Sequence, residues 1–188
     1  MKRLVFLFSA FYLSLVVLTA TAQNIFITES SQVTFFSDAP LQDIEAVNKA
    51  ATSIITLHND SIAFQVPIKG FTFKSGLMQT HFNETYMESD KKGYEYATLK
   101  GKLSEKIDFK KDGEYKVTVT GNLKMHGVEK PRTFDGTITV KGDKVTVKSQ
   151  FKVLVADHKI KIPSDKIKNI GSEVLVTVEA HYKPYVKP

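Results

Sequence analysis

The chain contains no cysteine and no tryptophan among its 188 residues. The lack of cysteine excludes disulfide bonds, thiolate metal sites and thiol catalysis, so the fold is held together by packing. The 26 Lys and Arg residues outnumber the 20 Asp and Glu residues, but they are spread along the chain. Nucleic-acid binding usually needs a basic stripe with interleaved aromatic side chains, and we therefore expect no nucleic-acid partner.

Common catalytic motifs are absent as well. The sequence has no Gly-x-Ser-x-Gly elbow, no glycine-rich phosphate loop and no His-Glu-x-x-His pair. Asp108, Asp112 and Asp135 stand apart among predicted turns and strands, with no sign of a paired acid and base. We expect a protein that is not an enzyme, with no catalytic residue and no cofactor.

The longest apolar run lies near the N-terminus. Residues 4–18 carry no charge, follow Lys2 and Arg3, and precede the small-x-small pattern of residues 20–22. This order is typical of a cleavable signal peptide, and the run is shorter than the ~20 residues that cross a bilayer. We expect residues 1–22 to be removed, leaving one domain over residues 23–188 that is periplasmic or secreted.

Alternation of apolar and polar residues dominates the rest of the chain. It is clearest in residues 115–120, 137–140, 144–155 and 174–182. Such alternation is typical of strands with one dry face. Glycine-containing turns predict hairpins at residues 141–144 and 111–114, and a slightly longer one at residues 126–131.

Two segments break the alternation. Leu41, Ile44 and Val47 recur every three residues and predict a short helix over residues 40–47, and residues 77–87 have helical spacing of their apolar side chains. The predicted fold is all-β, with roughly eight antiparallel strands and one or two short helices. Long strands joined by tight turns favour a closed barrel over a sandwich.

Two stretches together carry a family resemblance. Residues 75–90 read SGLMQTHFNETYMESD, followed by YEYATLKG at residues 94–101, and residues 115–131 read YKVTVTGNLKMHGVEKP. Both resemble the YceI-like family of small exported proteins, with likeness extending from about Val33 to Tyr182. The chain departs from the family pattern in lacking a proline before Ala97 and in having Arg132 where valine is usual.

The resemblance implies an eight-stranded antiparallel barrel, similar to a lipocalin, whose apolar interior holds a long lipid such as a polyisoprenoid. Such a protein would transport, store or protect its lipid and would work close to a membrane. Family members often form pairs, so the oligomeric state stays open between a single chain and a homodimer.

A barrel of about eight strands either fills its interior with side chains or keeps room for one small ligand, and the sequence does not separate the two. With that alternative open, the residues predicted to line a ligand site are Phe35, Phe64, Phe71, Phe73, Leu77, Met78, Phe82, Leu99, Leu103, Val117, Val119, Leu123, Met125, Phe134, Ile138, Val147, Phe151 and Val153. The helix at residues 77–87 is predicted to act as a lid or to cap one barrel end.

Two other functions are weighed against lipid binding. His81 and Glu84 lie three residues apart on the predicted helix and would suit a metal-dependent hydrolase, but a catalytic zinc needs about three protein ligands. We therefore predict no metal site. His126 is predicted to be structural, bonding to turn backbone. The remaining alternative is an envelope stress or interaction module without a ligand.

Overall fold

The structure, a computed structural model, describes residues 25–38, 43–163 and 170–186. The predicted signal peptide lies outside the described residues. The strands are β1 (Ile25–Ser37), β2 (Ile44–Asn48), β3 (Thr52–Thr56), β4 (Ser61–Pro67), β5 (Phe71–Phe73), β6 (Tyr96–Leu103), β7 (Gly113–Met125), β8 (Val128–Lys141), β9 (Lys144–Leu154) and β10 (Glu173–Pro184).

Eight of these strands close an antiparallel barrel in the order β1, β3, β4, β6, β7, β8, β9 and β10. Closure is achieved by β1, which pairs with β10 along most of its length and with β3 at its start. The predicted all-β barrel is confirmed. Strands β2 and β5 extend the wall beyond β1 at one end, which we call the upper end.

The upper end carries one short helix, α1 (Gly76–Thr80), which continues without a break into a π-helical segment, His81–Tyr86. The predicted helix over residues 77–87 is therefore confirmed. In the described parts of the chain, no helix has the length and apolar character needed to span a bilayer.

The predicted helix over residues 40–47 is wrong. Its described part contains β2, which pairs with β1 on one side and β5 on the other. The spacing of Ile44 and Val47 matched a helix, but Ala46 and Asn48 are buried and Glu45 is exposed, the alternation of a strand. Cross-strand hydrogen bonding therefore overrode a helical pattern supported by only three apolar residues.

Of the three predicted turns, the one at residues 141–144 is confirmed, with Gly142 at φ 62° and Lys141 opposite Lys144. The turn after Met125 is shorter than predicted: His126 and Gly127 both have positive φ, and β8 begins at Val128. Such two-residue turns match the twist of the paired strands.

The predicted hairpin at residues 111–114 is wrong, because Gly113 is already the first residue of β7 and pairs with Val140. The connection from β6 instead occupies residues 104–112. Ile107 and Phe109 in this connection pack against the main core, so the longer loop closes the lower end of the barrel.

The lower end is filled by side chains. The rings of Phe26 and Phe109 lie 5.4 Å apart. The Tyr182 hydroxyl donates a 2.7 Å hydrogen bond to Ser53 Oγ, and burial raises the pKa of Tyr182. The satisfied hydroxyl lets a large side chain be buried here without an unpaired polar group.

Candidate ligand-binding cavity

Above the filled lower end, the barrel encloses a cavity of about 390 Å³ with a mostly apolar lining. Alternation along each strand positions this lining, since every second side chain points inward. Phe64, Leu99 and Val176 face inward yet are only half-buried, because they border the empty space. The barrel is therefore hollow in its middle and upper parts. The sequence had not distinguished a hollow barrel from a filled one.

The structure brings almost all of the predicted lining residues together. Those that line the cavity are Phe35, Phe64, Phe71, Phe73, Met78, Phe82, Leu99, Leu103, Val117, Val119, Leu123, Met125, Phe134, Ile138, Val147, Phe151 and Val153. They come from the helix and from strands on every side of the barrel, so their common location results from the closure of the sheet. That they bind a ligand remains a prediction.

Leu77 is the exception, because its side chain is 66% exposed and does not line the cavity. Adjacent helical residues point about 100° apart, so a helix that directs Met78 inward turns Leu77 towards solvent. The expectation that Leu77 lies in the interior is therefore corrected.

Several lining residues were missed by the sequence reasoning. Val174, Val176 and Val178 line the cavity from β10, and their alternation in the sequence was a sufficient signal to find them. Ile160 and Ile170 also line it, but they lie outside the strands. No periodic pattern marks such residues, and only the tertiary structure shows that they contact the interior.

Four phenylalanines close the upper end beneath the helix. Phe82 lies 5.4 Å from Phe35, 5.6 Å from Phe71 and 5.0 Å from Phe73, measured between ring centroids. Aromatic rings in edge-to-face and offset contacts gain energy beyond the area they bury. The helix is thus attached to the barrel through a cluster of apolar contacts, an arrangement suited to the predicted lid.

His126 joins three segments at the upper rim. Its Nδ1 lies 3.0 Å from the carbonyl oxygen of His158, and its Nε2 lies 3.1 Å from Glu88 Oε2. Its ring also packs against Tyr94 at 4.4 Å between centroids. The carbonyl oxygen and the carboxylate are both acceptors, so each ring nitrogen of His126 faces an acceptor. Lys91, and secondarily His126, lower the pKa of Glu88.

His158 is fully buried, and its Nδ1 lies 3.1 Å from the carbonyl oxygen of Val128. Burial lowers its pKa, outweighing the hydrogen bond to Val128. The unfolded chain therefore takes up a proton near the ordinary histidine pKa of about 6.5, whereas the folded chain resists it. This contribution to stability is complete above that pKa and is lost as the pH falls through the folded-state value.

We expect the substitution His158→Asn to flatten this pH dependence, because asparagine can donate to the Val128 carbonyl but does not titrate. Urea unfolding at pH 7.5 and pH 5.0 measures it. His58→Asn, the same change at an exposed histidine, is the matched control. An equal loss of stability on acidification in His158→Asn and in the unaltered protein would contradict the assignment.

His81 and Glu84, the residues of the alternative metal site, are both exposed but border different spaces. His81 borders the cavity, and Glu84 borders a surface depression with Lys69 and Asp90. The π-helical geometry contributes, because its hydrogen bonds span five residues and change which side chains share a face. Among the described residues, no group of three or more His, Asp or Glu side chains is arranged to hold a metal ion.

A closed antiparallel wall around an internal apolar space defines a lipocalin-like barrel. The chain belongs to the YceI-like family, since the family model for the YceI-like domain matches residues 26–182. The resemblance seen in the sequence is thereby confirmed. No protein with a curated description matches the chain in sequence.

Solved structures show the same fold at low sequence identity. A polyisoprenoid-binding domain from Saccharophagus degradans, implicated in plant cell wall breakdown, is 13% identical with a TM-score of 0.72, covering 85% of this chain and 98% of that one. BcnA of Burkholderia cenocepacia is 14% identical with a TM-score of 0.67, covering 80% and 95%. The YceI protein of Campylobacter jejuni is 18% identical with a TM-score of 0.57, covering 73% and 81%.

Proposed function

We propose that this protein binds a long apolar lipid of the polyisoprenoid type inside its barrel, and that it transports, stores or protects this lipid outside the cytoplasm. The observation that carries the proposal is the cavity of about 390 Å³ with its mostly apolar lining. This volume lies within the range of about 300–1,000 Å³ that is usual for small-molecule sites. The polyisoprenoid-binding description of the S. degradans domain supports the choice of lipid.

The chemistry of the lining favours an extended hydrocarbon over a polar metabolite. Phe64, Leu99 and Val176 offer apolar surface that the empty barrel leaves uncovered. Each methylene group moved from water into such surroundings contributes about 0.8 kcal/mol. A chain of isoprene units therefore gains affinity along its length and needs few polar contacts in the interior.

The export part of the proposal comes from the sequence. The signal-like segment of residues 1–22 supports export, which would place the apolar cavity in an aqueous space beside a membrane. Lipid in such a space needs protection from water. The protein would work there as a single chain or as a homodimer.

One measurement on the protein expressed with its N-terminal segment in a bacterial host tests both parts. We expect native mass spectrometry to show a noncovalent lipid that is released on denaturation, on a polypeptide that begins at Gln23. Extraction then identifies the lipid. An empty barrel that also fails to bind added geranylgeraniol would contradict lipid binding and favour an interaction module without a ligand. A polypeptide that still begins at Met1 would contradict export.

A metal-dependent hydrolase is not proposed. Its two candidate ligands are both exposed and border different spaces, His81 the cavity and Glu84 a surface depression.

A further inference from the structure

The wall of the barrel is incomplete between β8 and β9. In the described chain, the two strands are paired from Lys141–Lys144 to Gly136–Ser149. Both strands continue upward past this last pair, β8 back to Val128 and β9 on to Leu154. We call the interval between residues 130–135 of β8 and 150–154 of β9 the side gap. Here the backbone ladder between β8 and β9 is missing.

Side chains bridge the side gap in place of the ladder. Ser149 Oγ donates a 2.6 Å hydrogen bond to the carbonyl oxygen of Asp135. Higher up, Arg132 Nη2 donates a 2.7 Å hydrogen bond to the carbonyl oxygen of Lys152. The rings of Phe134 and Phe151 meet at 4.6 Å behind these two links. Such contacts break one at a time, whereas opening a paired ladder requires several hydrogen bonds to break together.

The cavity extends to the side gap. Its lining includes Asp135 in the gap and, at the last paired positions just below the gap, Gly136, Lys148 and Ser149. Gly136 has no side chain and Ser149 a small one, so little material separates the interior from the outside at this point. Asp135 and Lys148 are exposed, and their side chains have partners on the outer face of the wall: the Asp135 carboxylate accepts from the Thr118 hydroxyl, and Lys148 pairs with Glu179. Elsewhere the lining is mostly apolar.

We infer that the polar end of the bound lipid lies in the side gap and that the lipid enters and leaves by this route. The inference rests on the proposed function, since it concerns the same cavity. Burying the polar end of a lipid in an apolar interior without a hydrogen-bond partner is unfavourable. At the side gap the cavity borders residues that are exposed on the outer face of the wall, so the polar end stays hydrated there while the chain fills the barrel.

The position of the polar end is tested by nuclear magnetic resonance with geranylgeraniol carrying ¹³C at its hydroxyl-bearing carbon. We expect isotope-filtered contacts from the protons on this carbon to the amides of Gly136 and Ser149. Contacts to the amide of Phe73 beneath the helix, with none at the side gap, would overturn the inference. If no amide of the barrel shifts on addition of geranylgeraniol, the proposed function itself fails, and the two failures are thus distinguished.

The route of entry is tested with a disulfide across the side gap. The chain has no native cysteine, so an introduced pair can form a bond only with each other or between molecules. Asp135 and Gln150 would form the next pair if the ladder continued beyond Gly136–Ser149. The double variant Asp135→Cys with Gln150→Cys ties the gap shut. Its reduced form is the control for the substitutions themselves.

A second pair controls for the effect of a disulfide on the barrel. Thr139→Cys with Thr146→Cys places a bond between the same two strands where they are already paired. In stopped-flow measurements, we expect retinol fluorescence to rise at least about tenfold more slowly in the oxidised gap variant than in its reduced form. The oxidised Thr139–Thr146 variant should match its reduced form.

Removing the hydrogen bonds of Arg132 and Ser149 across the side gap should speed the exchange of ligand instead of slowing it. We expect the double variant Arg132→Ala with Ser149→Ala to take up and release retinol faster than the unaltered protein, because both hydrogen bonds across the side gap are removed. This variant also covers the case in which the gap disulfide fails to form. If retinol binds to the oxidised gap variant, its reduced form and the Arg132→Ala, Ser149→Ala variant at equal rates, the side gap is not the route of entry.

Discussion

The substitution Ala97→Phe should abolish most lipid binding while leaving the barrel folded. Ala97 lies on β6 opposite Val66 and lines the cavity as a small, half-buried side chain. A phenyl ring at this position enters empty space instead of a packed core, so its cost to stability should stay below about 1 kcal/mol. If it displaces about three methylene groups of the ligand, affinity falls by about 2.4 kcal/mol, or roughly 50-fold.

Retinol fluorescence titration measures this loss of affinity, and thermal unfolding checks the fold. The matched control is Ala63→Phe on the neighbouring strand β4, where Ala63 pairs with Ile54 and Lys100 on the outer face of the wall. The same ring outside the barrel should leave the affinity unchanged. Equal affinities in both variants would show that the ligand does not occupy the space beside Ala97.

Among the substitutions proposed for this protein, Gly121→Ala should produce the largest loss of stability. Gly121 of β7 pairs with Gly101 of β6, and the two backbones approach closely at this point. A Cβ atom on Gly121 would lie 2.2 Å from the Lys100 carbonyl oxygen and 2.4 Å from Gly101 Cα. Because the atoms in the way are backbone, relief requires the strands to separate. We expect a loss of about 3 kcal/mol or more in the free energy of unfolding.

Thermal and urea unfolding measure the effect, and a loss of this size lowers Tm by roughly 6–12 °C for a protein of this length. Gly76→Ala is the control, since a Cβ there has no neighbour within 4 Å. Gly76 is the first residue of α1, and alanine in a helix is favoured over glycine by about 0.5–1 kcal/mol. Unchanged unfolding of Gly121→Ala would show that β6 and β7 are not held at this separation.

The strands were largely predictable because their signal is local. In β9, Val145, Val147 and Val153 are buried and each is next to one exposed lysine, as the alternation predicted. The turn at Gly142 was equally predictable, since a positive φ in a two-residue hairpin favours glycine. Most of the lining followed from the same period of two, combined with the family resemblance.

The predictions that failed depended on contacts distant in the sequence. Ile44 and Val47 suggested a helix, but β1 and β5 supply the hydrogen bonds that make this segment a strand. Gly113 suggested a hairpin, but Ile107 and Phe109 draw the preceding loop across the lower end. Leu77 was predicted to line the ligand site, but the orientation of α1 on the barrel turns its side chain towards solvent.

The sequence by itself determined that this chain is all-β, because alternation and turn residues act over a few neighbouring positions. The motifs in residues 75–101 and 115–131 added the resemblance to the YceI-like family and its barrel. The sequence did not determine that the barrel is hollow. The free volume depends on how side chains from eight strands meet across the interior, as Phe64, Leu99 and Val176 do around the cavity. The side gap was equally hidden, since the end of pairing at Gly136–Ser149 results from how two strands diverge in space.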